Sequence, residues 1–242
     1  RSTLFPYTTL FRSRTGAICS AGQAEPMTRL RVLHVIPSVA ACHGGPSRAI
    51  ASMERALSPL VEITTLTTDD DGPGLRIAAP LPPTGTGARR VYLRKRLDFY
   101  KVTPGAISWL WSNVHAFDVV HIHALFSFIS VTAALIARAR GVPYIIRSLG
   151  TLSAYGMRVR RPLAKRITFS LLESRIIRHA ATMHFTSDAE RVEAEQLGVP
   201  MRSVVIPLGV DETTAGAEAS SRNACTPGSR SEERRVGKEC RS

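Results

Sequence analysis

Two stretches of this chain carry residues whose types and spacing suit chemistry. In DVVHIHALF, His121 and His123 stand two residues apart at the end of an apolar run. On a β-strand that spacing puts both imidazoles on one face, an arrangement used for metal ligation or proton transfer. No third ligand stands nearby in the sequence, so no metal is expected. His121 reads as a satisfied core histidine and His123, at the strand end, as a residue in contact with a ligand. In HGGP (His43 to Pro46) two glycines precede a helix-opening proline. Such a loop lets backbone N–H groups meet phosphate at a helix N-terminus. The other reading is a turn that needs positive φ, since neither GxGxxG nor a Walker A pattern is present.

The elements that position these groups are legible in the pattern. Val119 to Ile122 and Tyr144 to Ile146 are short apolar runs flanking an amphipathic segment that ends at Arg138, Arg140 and Gly141, with Pro143 beyond. This predicts strand, helix and strand, with a crossover long enough to bring the second strand back parallel to the first. Ligands of open parallel sheets bind beyond the carboxyl ends of strands, where His123 and the segment Arg147 to Thr151 lie.

Along the rest of the chain, Arg31 to Pro37 reads as a buried parallel strand. Ala49, Ile50, Met53, Ala56 and Leu57 recur at helical spacing until Pro59. Val61 to Thr68 is a second strand, Asp69 to Gly87 an irregular surface excursion, and Arg89 to Arg96 a third strand with a basic exit. Pro104 to His115 reads as a helix whose Trp109 and Trp111 serve core or domain-edge packing rather than a sugar platform. From Pro162, a helix is expected to align Leu163, Ile167, Leu171 and Ile176, with Arg158, Arg160, Arg161, Lys165 and Arg166 on its other side. That basic face suits an anionic acceptor or a membrane surface, or simply solvent. Thr182 to Ser187 and Ser203 to Pro207 are further strands, and Ser187-x-x-Glu190 is a capping box, which gives Glu190 a structural role. Alternation of β and α throughout predicts an α/β fold, a doubly wound parallel sheet of Rossmann-like form with about six or seven strands.

The two ends are of another kind. Arg1 to Ser13 and Arg230 to Ser242 can be encoded by DNA strands that are reverse complements of each other, resembling a sequencing-library adaptor. They carry no information about the fold. Each contributes two net positive charges, which takes the formal charge from +13 to +9. No nucleic-acid motif or aromatic–basic interleaving accompanies that charge, so no nucleic acid is expected as a partner. Cys19, Cys42 and Cys225 form no CxxC pair and no secretory signal is present, which points to the reduced cytoplasm. The leader Arg14 to Pro26 lacks periodicity, and Met27 reads as a start.

The motifs RVLHVIPS, GGPSRAI, DVVHIHALFSF, GVPYIIRSLGTLSAYG, RRPLAKR, HFTSDAE and VVIPLGVD, in this order, resemble the N-terminal domain of family 4 (group 1) glycosyltransferases. The resemblance spans 29–211, preceded by an unstructured leader (14–28) and followed by a linker (212–229), inside the adaptor-like ends 1–13 and 230–242. It implies the N-terminal, acceptor-side half of the two-domain GT-B architecture. It also implies a retaining transfer of sugar from a nucleotide-sugar donor to a glycan, lipid or other glycoconjugate, as in polysaccharide biosynthesis, with no separate cofactor. Gly44 and Gly45 match the loop that approaches the donor diphosphate. His123, Arg147, Gly150, Thr151 and Tyr155 match the cleft wall where acceptor and transferred sugar meet. No residue is assigned a catalytic role. Many relatives have histidine where Leu149 stands and asparagine where Leu208 stands, and neither leucine side chain supplies a hydrogen bond. The C-terminal domain that carries most nucleotide contacts in such enzymes is not recognisable, so the chain alone is expected to be inactive. Peripheral contact with the cytoplasmic membrane face is a further expectation. The alternative is a Rossmann-like domain that binds a nucleotide or sugar without catalysis.

Overall fold

The computed structural model describes residues 29–77, 87–153 and 162–209, and only the backbone of 162–164. The adaptor-like ends, the leader, the linker, Tyr155, and Arg158, Arg160 and Arg161 lie outside the described residues, as does the expected domain end at Asp211.

Seven strands form one parallel sheet: β1 (Arg31–Val35), β2 (Glu62–Thr68), β3 (Arg89–Leu93), β4 (Val119–His123), β5 (Tyr144–Arg147), β6 (Thr182–Phe185) and β7 (Ser203–Val205). Their order is β3-β2-β1-β4-β5-β6-β7, and every pairing is parallel. Chain direction across the sheet reverses at β1, which has β2 on one side and β4 on the other. The expected doubly wound sheet is therefore present.

Strand alternation divides the sheet into an apolar and a polar face. Leu33, Val35, Leu66, Val120, Ile122, Ile146 and Phe185 are fully buried and join one core with Ala106 and Leu110 of α2 (Gly105–Asn113) and with Ile129, Ala133, Ala134 and Ala137 of α3 (Phe128–Ala139). Burial of each large aliphatic side chain contributes about 1.5–3 kcal/mol. Small alanines along α3 let that helix lie close to the strands, and Ser127 caps it by accepting the Ser130 amide.

The polar face carries Thr65, His34, His121, His123, Arg147 and His184 in adjoining rows, set by the register Thr65–His34–His121 and His123–Arg147–His184. Helix α1 (Gly45–Leu57) packs here. Its buried Glu54 accepts the Thr65 hydroxyl at 2.7 Å and two bonds from Arg90 at 3.1 and 2.5 Å, while Arg147 Nη1 meets Met53 Sδ at 3.2 Å.

The helix from Pro162 differs from expectation. It runs as α4 (Pro162–Thr168), one turn of π-helix (Phe169–Glu173) and α5 (Ser174–His179). Ile176 is 2% exposed, but Ile167 and Leu171 are 60% and 65% exposed, so the three do not share a buried face. Five residues separate Leu171 from Ile176, a step that does not return to the same side at 3.6 residues per turn. The π turn instead carries Glu173 inward. Trp109 packs against the core, whereas Trp111 is half exposed beneath the Arg140 guanidinium, 4.3 Å from its ring centroid. A short helix, α6 (Asp188–Glu195), follows β6 and packs against β6 and β7.

Candidate functional site

The reversal at β1 opens a crevice at the carboxyl ends of β1 and β4, the place where an open α/β sheet leaves room for a ligand. Gly44 and Gly45 stand there. Gly44 has φ 63°, so the turn itself calls for glycine. Gly45 opens α1 without a positive φ, and a Cβ added there would meet nothing within 4 Å. Neither conformation nor packing asks for glycine at position 45, as is also true of Gly105 at the start of α2. No side chain caps α1, so the amides of its first turn are available to an anion.

Beside this loop is a charged cluster built on Asp70. The carboxylate, 3% exposed, accepts His43 Nε2 at 2.8 Å, Lys95 Nζ at 2.5 Å and Lys101 Nζ, while Asp98 Oδ1 is 2.5 Å from Lys95 Nζ. Burial works against the Asp70 charge, but the hydrogen bonds from Lys101 and Lys95 outweigh it and hold the carboxyl at about 2. Ser38 donates to the Asp70 carbonyl at 2.7 Å and ties the cluster to the end of β1. Asp70 was expected on a surface excursion. Its burial is a tertiary effect, since the lysines that neutralise it arrive from the far side of β3.

Left-handed backbone gathers on the same edge. Among the described residues the non-glycine positions with positive φ are Tyr100, Lys101, Ala124, Phe126 and Leu149, in segments after β3, β4 and β5. Each costs about 1–2 kcal/mol, and strain of this kind is retained where loops serve a site. Leu149 and Gly150, at φ 51° and 72°, form a tight turn with Thr151, whose amide donates to the Ser148 carbonyl at 3.1 Å. Glu190 holds this turn: Oε1 accepts the Ser148 hydroxyl at 2.6 Å and the Gly150 amide at 2.7 Å, and Oε2 accepts the Thr186 amide and hydroxyl at 2.9 Å. Burial opposes the Glu190 charge, yet these donors keep its pKa below the ordinary value. The expected cap by Ser187 is present at 3.2 Å, so Glu190 is both a helix-start residue and a tether for the cleft rim.

Sequence-expected residues separate into rim and floor. Gly44, Gly45, Gly150 and Thr151 are accessible, whereas His123 and Arg147 are each 2% exposed. His123 does not face open space; its Nε2 meets Nδ1 of His34 at 2.8 Å. His121 is not the satisfied histidine expected, for its Nε2 is buried without a hydrogen-bond partner. A third imidazole also stands beside the pair, contrary to expectation: His34 sits opposite His121 in the β1–β4 register. Local spacing cannot reveal a partner on another strand. Burial, with Arg147 nearby, keeps His34, His121, His123 and His184 below the ordinary histidine value, His34 at about 4.

Sequence reasoning also missed a buried acid. Glu173 Oε1 accepts Tyr100 Oη and the Phe126 amide, the latter at 3.1 Å, and its Oε2 has no partner. Desolvation raises its pKa to about 7 against these two bonds. The one available signal was a glutamate flanked by leucines and isoleucines.

Comparison with known proteins agrees with this geometry. A family model described as a glycosyl transferase 4-like domain matches residues 44–209. No curated protein sequence matches the chain. Among solved structures, Anabaena HepE in complex with UDP-glucose superposes with a TM-score of 0.53 at 12% identity, over 81% of this chain and 50% of that one. Its complex with UDP and glucose gives 0.52 at 12% identity over the same shares. UDP-GlcNAc 2-epimerase from Neisseria meningitidis, bound to UDP-GlcNAc, gives 0.45 at 14% identity over 73% and 45% of the two chains. The chain thus spans about half the length of these structures. The likeness to HepE establishes the fold, a Rossmann-like half of a GT-B architecture.

Proposed function

The chain belongs to the glycosyl transferase 4-like domain family, and from that premise we propose that it is the acceptor-side lobe of a retaining glycosyltransferase. The donor is a nucleotide sugar and the acceptor a glycan, a lipid-linked glycan or another glycoconjugate. The observation that carries this reading is the Gly44–Gly45 turn after β1, where Gly44 takes φ 63° and no side chain among the described residues caps α1. A diphosphate laid against that turn would meet uncapped amides and the positive end of a helix. Lys101, 27% exposed and anchored on Asp70 beside His43, extends a positive rim toward the acceptor side. Gly150 and Thr151 form the opposite rim, with Arg147 and His123 beneath it. Tyr155 belongs to that rim by resemblance.

Retaining transfer demands charge stabilisation of a departing diphosphate from both sides of a closed cleft. The described residues make a single sheet and so one wall. These residues by themselves are therefore expected not to turn a substrate over.

Leu149 favours a second reading, binding of a nucleotide sugar without transfer. It occupies a left-handed turn at the rim and offers no hydrogen bond where many relatives have histidine. Calorimetric titration of the chain with UDP and UDP-glucose, paired with a transfer assay on the chain joined to a donor-binding domain, separates the readings. Transfer by the joined protein supports the enzyme, binding by the chain without transfer supports the second reading, and neither binding nor transfer removes both.

No helix among the described residues is long and apolar enough to cross a membrane. We place the protein in the cytoplasm, in peripheral contact with anionic lipid. Support comes from Lys165 and Arg166 beside the exposed Ile167 and Leu171, a basic and apolar pairing suited to a membrane surface.

A further inference from the structure

Of the histidine layer beneath the cleft, only His123 has a part in the glycosyl-transfer reading, and the layer has the make-up of a metal site. His34 on β1 and His121 and His123 on β4 each present one ring nitrogen, and the three nitrogens lie within 4.8 Å of one another. The rings are gathered tightly, with centroids 4.9 Å apart for His34–His123, 4.2 Å for His121–His123 and 5.3 Å for His34–His121. His34 is fully buried and His123 2% exposed, while His121 is partly exposed as a residue with its Nε2 buried.

Two of these rings are incompletely bonded. Nε2 of His34 and Nε2 of His121 are buried with no hydrogen-bond partner among the described residues; His34 meets His123 through Nδ1, so the His121 atom is the one a metal would satisfy, and a buried polar atom left unpaired costs about 1–3 kcal/mol. Valine or isoleucine at either strand position would avoid that cost, so packing does not explain three imidazoles here.

We propose that His34, His121 and His123 form a three-imidazole site for zinc, which clamps β1 to β4 directly below the glycine loop. Zinc–nitrogen bonds of 2.0–2.1 Å require ligand nitrogens about 3.3 Å apart. His34 Nδ1 and His123 Nε2 are already 2.8 Å apart, and the β1–β4 register holds the three backbones, so rotation of side chains by about an ångström completes the set. The hydrogen now shared by His34 and His123 moves to the other nitrogen of its ring, so coordination needs no change in net protonation. Arg147 opposes an added cation and Glu54 partly offsets it. That balance selects a metal held by imidazole bonds over magnesium or calcium, which prefer oxygen ligands.

The test is titration of the purified chain with zinc chloride, followed by metal analysis after gel filtration. One equivalent retained, with affinity weakened about tenfold or more in His34→Gln and in His121→Gln, is the expected result. A His115→Gln, His179→Gln double variant, altered only at exposed histidines, keeps full binding. Should the buried variants fail to fold, nitrogen-15 spectra of the unaltered chain decide: zinc must shift the ring nitrogens of His34, His121 and His123. No retained zinc, loss of binding only in the exposed double variant, or unshifted ring nitrogens at these positions overturns the proposal.

Discussion

Glu190 Oε1 accepts the Gly150 amide at 2.7 Å, so a residue in the first turn of α6 fixes a left-handed glycine in the turn that follows β5. The same oxygen takes the Ser148 hydroxyl at 2.6 Å, and Oε2 takes both donors of Thr186. One carboxylate thereby sets the position of a cleft rim.

Removing that carboxylate frees four donors at once. Glu190→Ala is expected to cost about 1–2 kcal/mol, read as a lower denaturation midpoint, because the buried Ser148 hydroxyl loses its acceptor while the more exposed donors of Gly150 and Thr186 turn to water. Hydrogen exchange at the Gly150 amide should accelerate by more than exchange within β5. Equal acceleration throughout would mean that Glu190 supports the whole fold rather than the rim.

Gly45→Asp separates binding from folding. A carboxylate in the first turn of α1 interacts favourably with the helix dipole, by about 0.3–1 kcal/mol, and nothing lies within 4 Å to resist its Cβ. The same charge repels a diphosphate. Thermal stability should hold or rise slightly while UDP affinity falls about tenfold, a loss of about 1.4 kcal/mol. Unchanged UDP affinity would remove the glycine loop from the donor site.

Glu173 makes stability depend on pH. Its folded pKa, about 7, lies above the ordinary 4.5, so the folded state binds the extra proton. The associated stability is complete below pH 4.5 and is lost as pH rises through 7, on the order of 3 kcal/mol across that interval. Glu173→Gln keeps the shape without the charge. Its urea midpoint should fall less than that of the unaltered chain between pH 5 and pH 8, and parallel profiles would disprove the account.

Asp70 acts in the opposite sense. Its folded pKa of about 2 lies below the ordinary 3.8, so its contribution is present above 3.8 and is lost as pH falls through 2. Asp70→Asn leaves Lys95, 5% exposed, with Asp98 as its remaining carboxylate, at an expected cost of about 3 kcal/mol near neutral pH. Acid titration monitored by circular dichroism should show that the variant lacks the loss of stability between pH 4 and pH 2. Lys101 also loses its anchor, and any anionic acceptor should bind more weakly.

Membrane contact is tested at one side chain. Ile167 is 60% exposed, so Ile167→Glu should leave the fold intact while lowering co-sedimentation with phosphatidylserine vesicles several-fold. Equal binding by both chains would assign the exposed apolar pair another role.

Much of the architecture is written in local pattern. Apolar runs of strand length, helix-length crossovers with Gly141 and Pro143 at a boundary, and the Ser187–Glu190 pair each report on a few consecutive residues, and backbone preference and alternation act at that range. A parallel sheet of about six or seven strands and a glycine loop at the start of α1 followed from them. What required the tertiary structure was convergence between distant segments. His34 meets His123 only because β1 and β4 are neighbours in one register; Asp70 is buried only because Lys95 and Lys101 fold back over it; Glu173 turns inward through a π turn that no periodicity announced. A side chain's charge, burial and partners depend on which strands adjoin and in what register. Those are properties of the packed sheet, whereas the hydrophobic pattern of a single segment records only which of its own faces is buried.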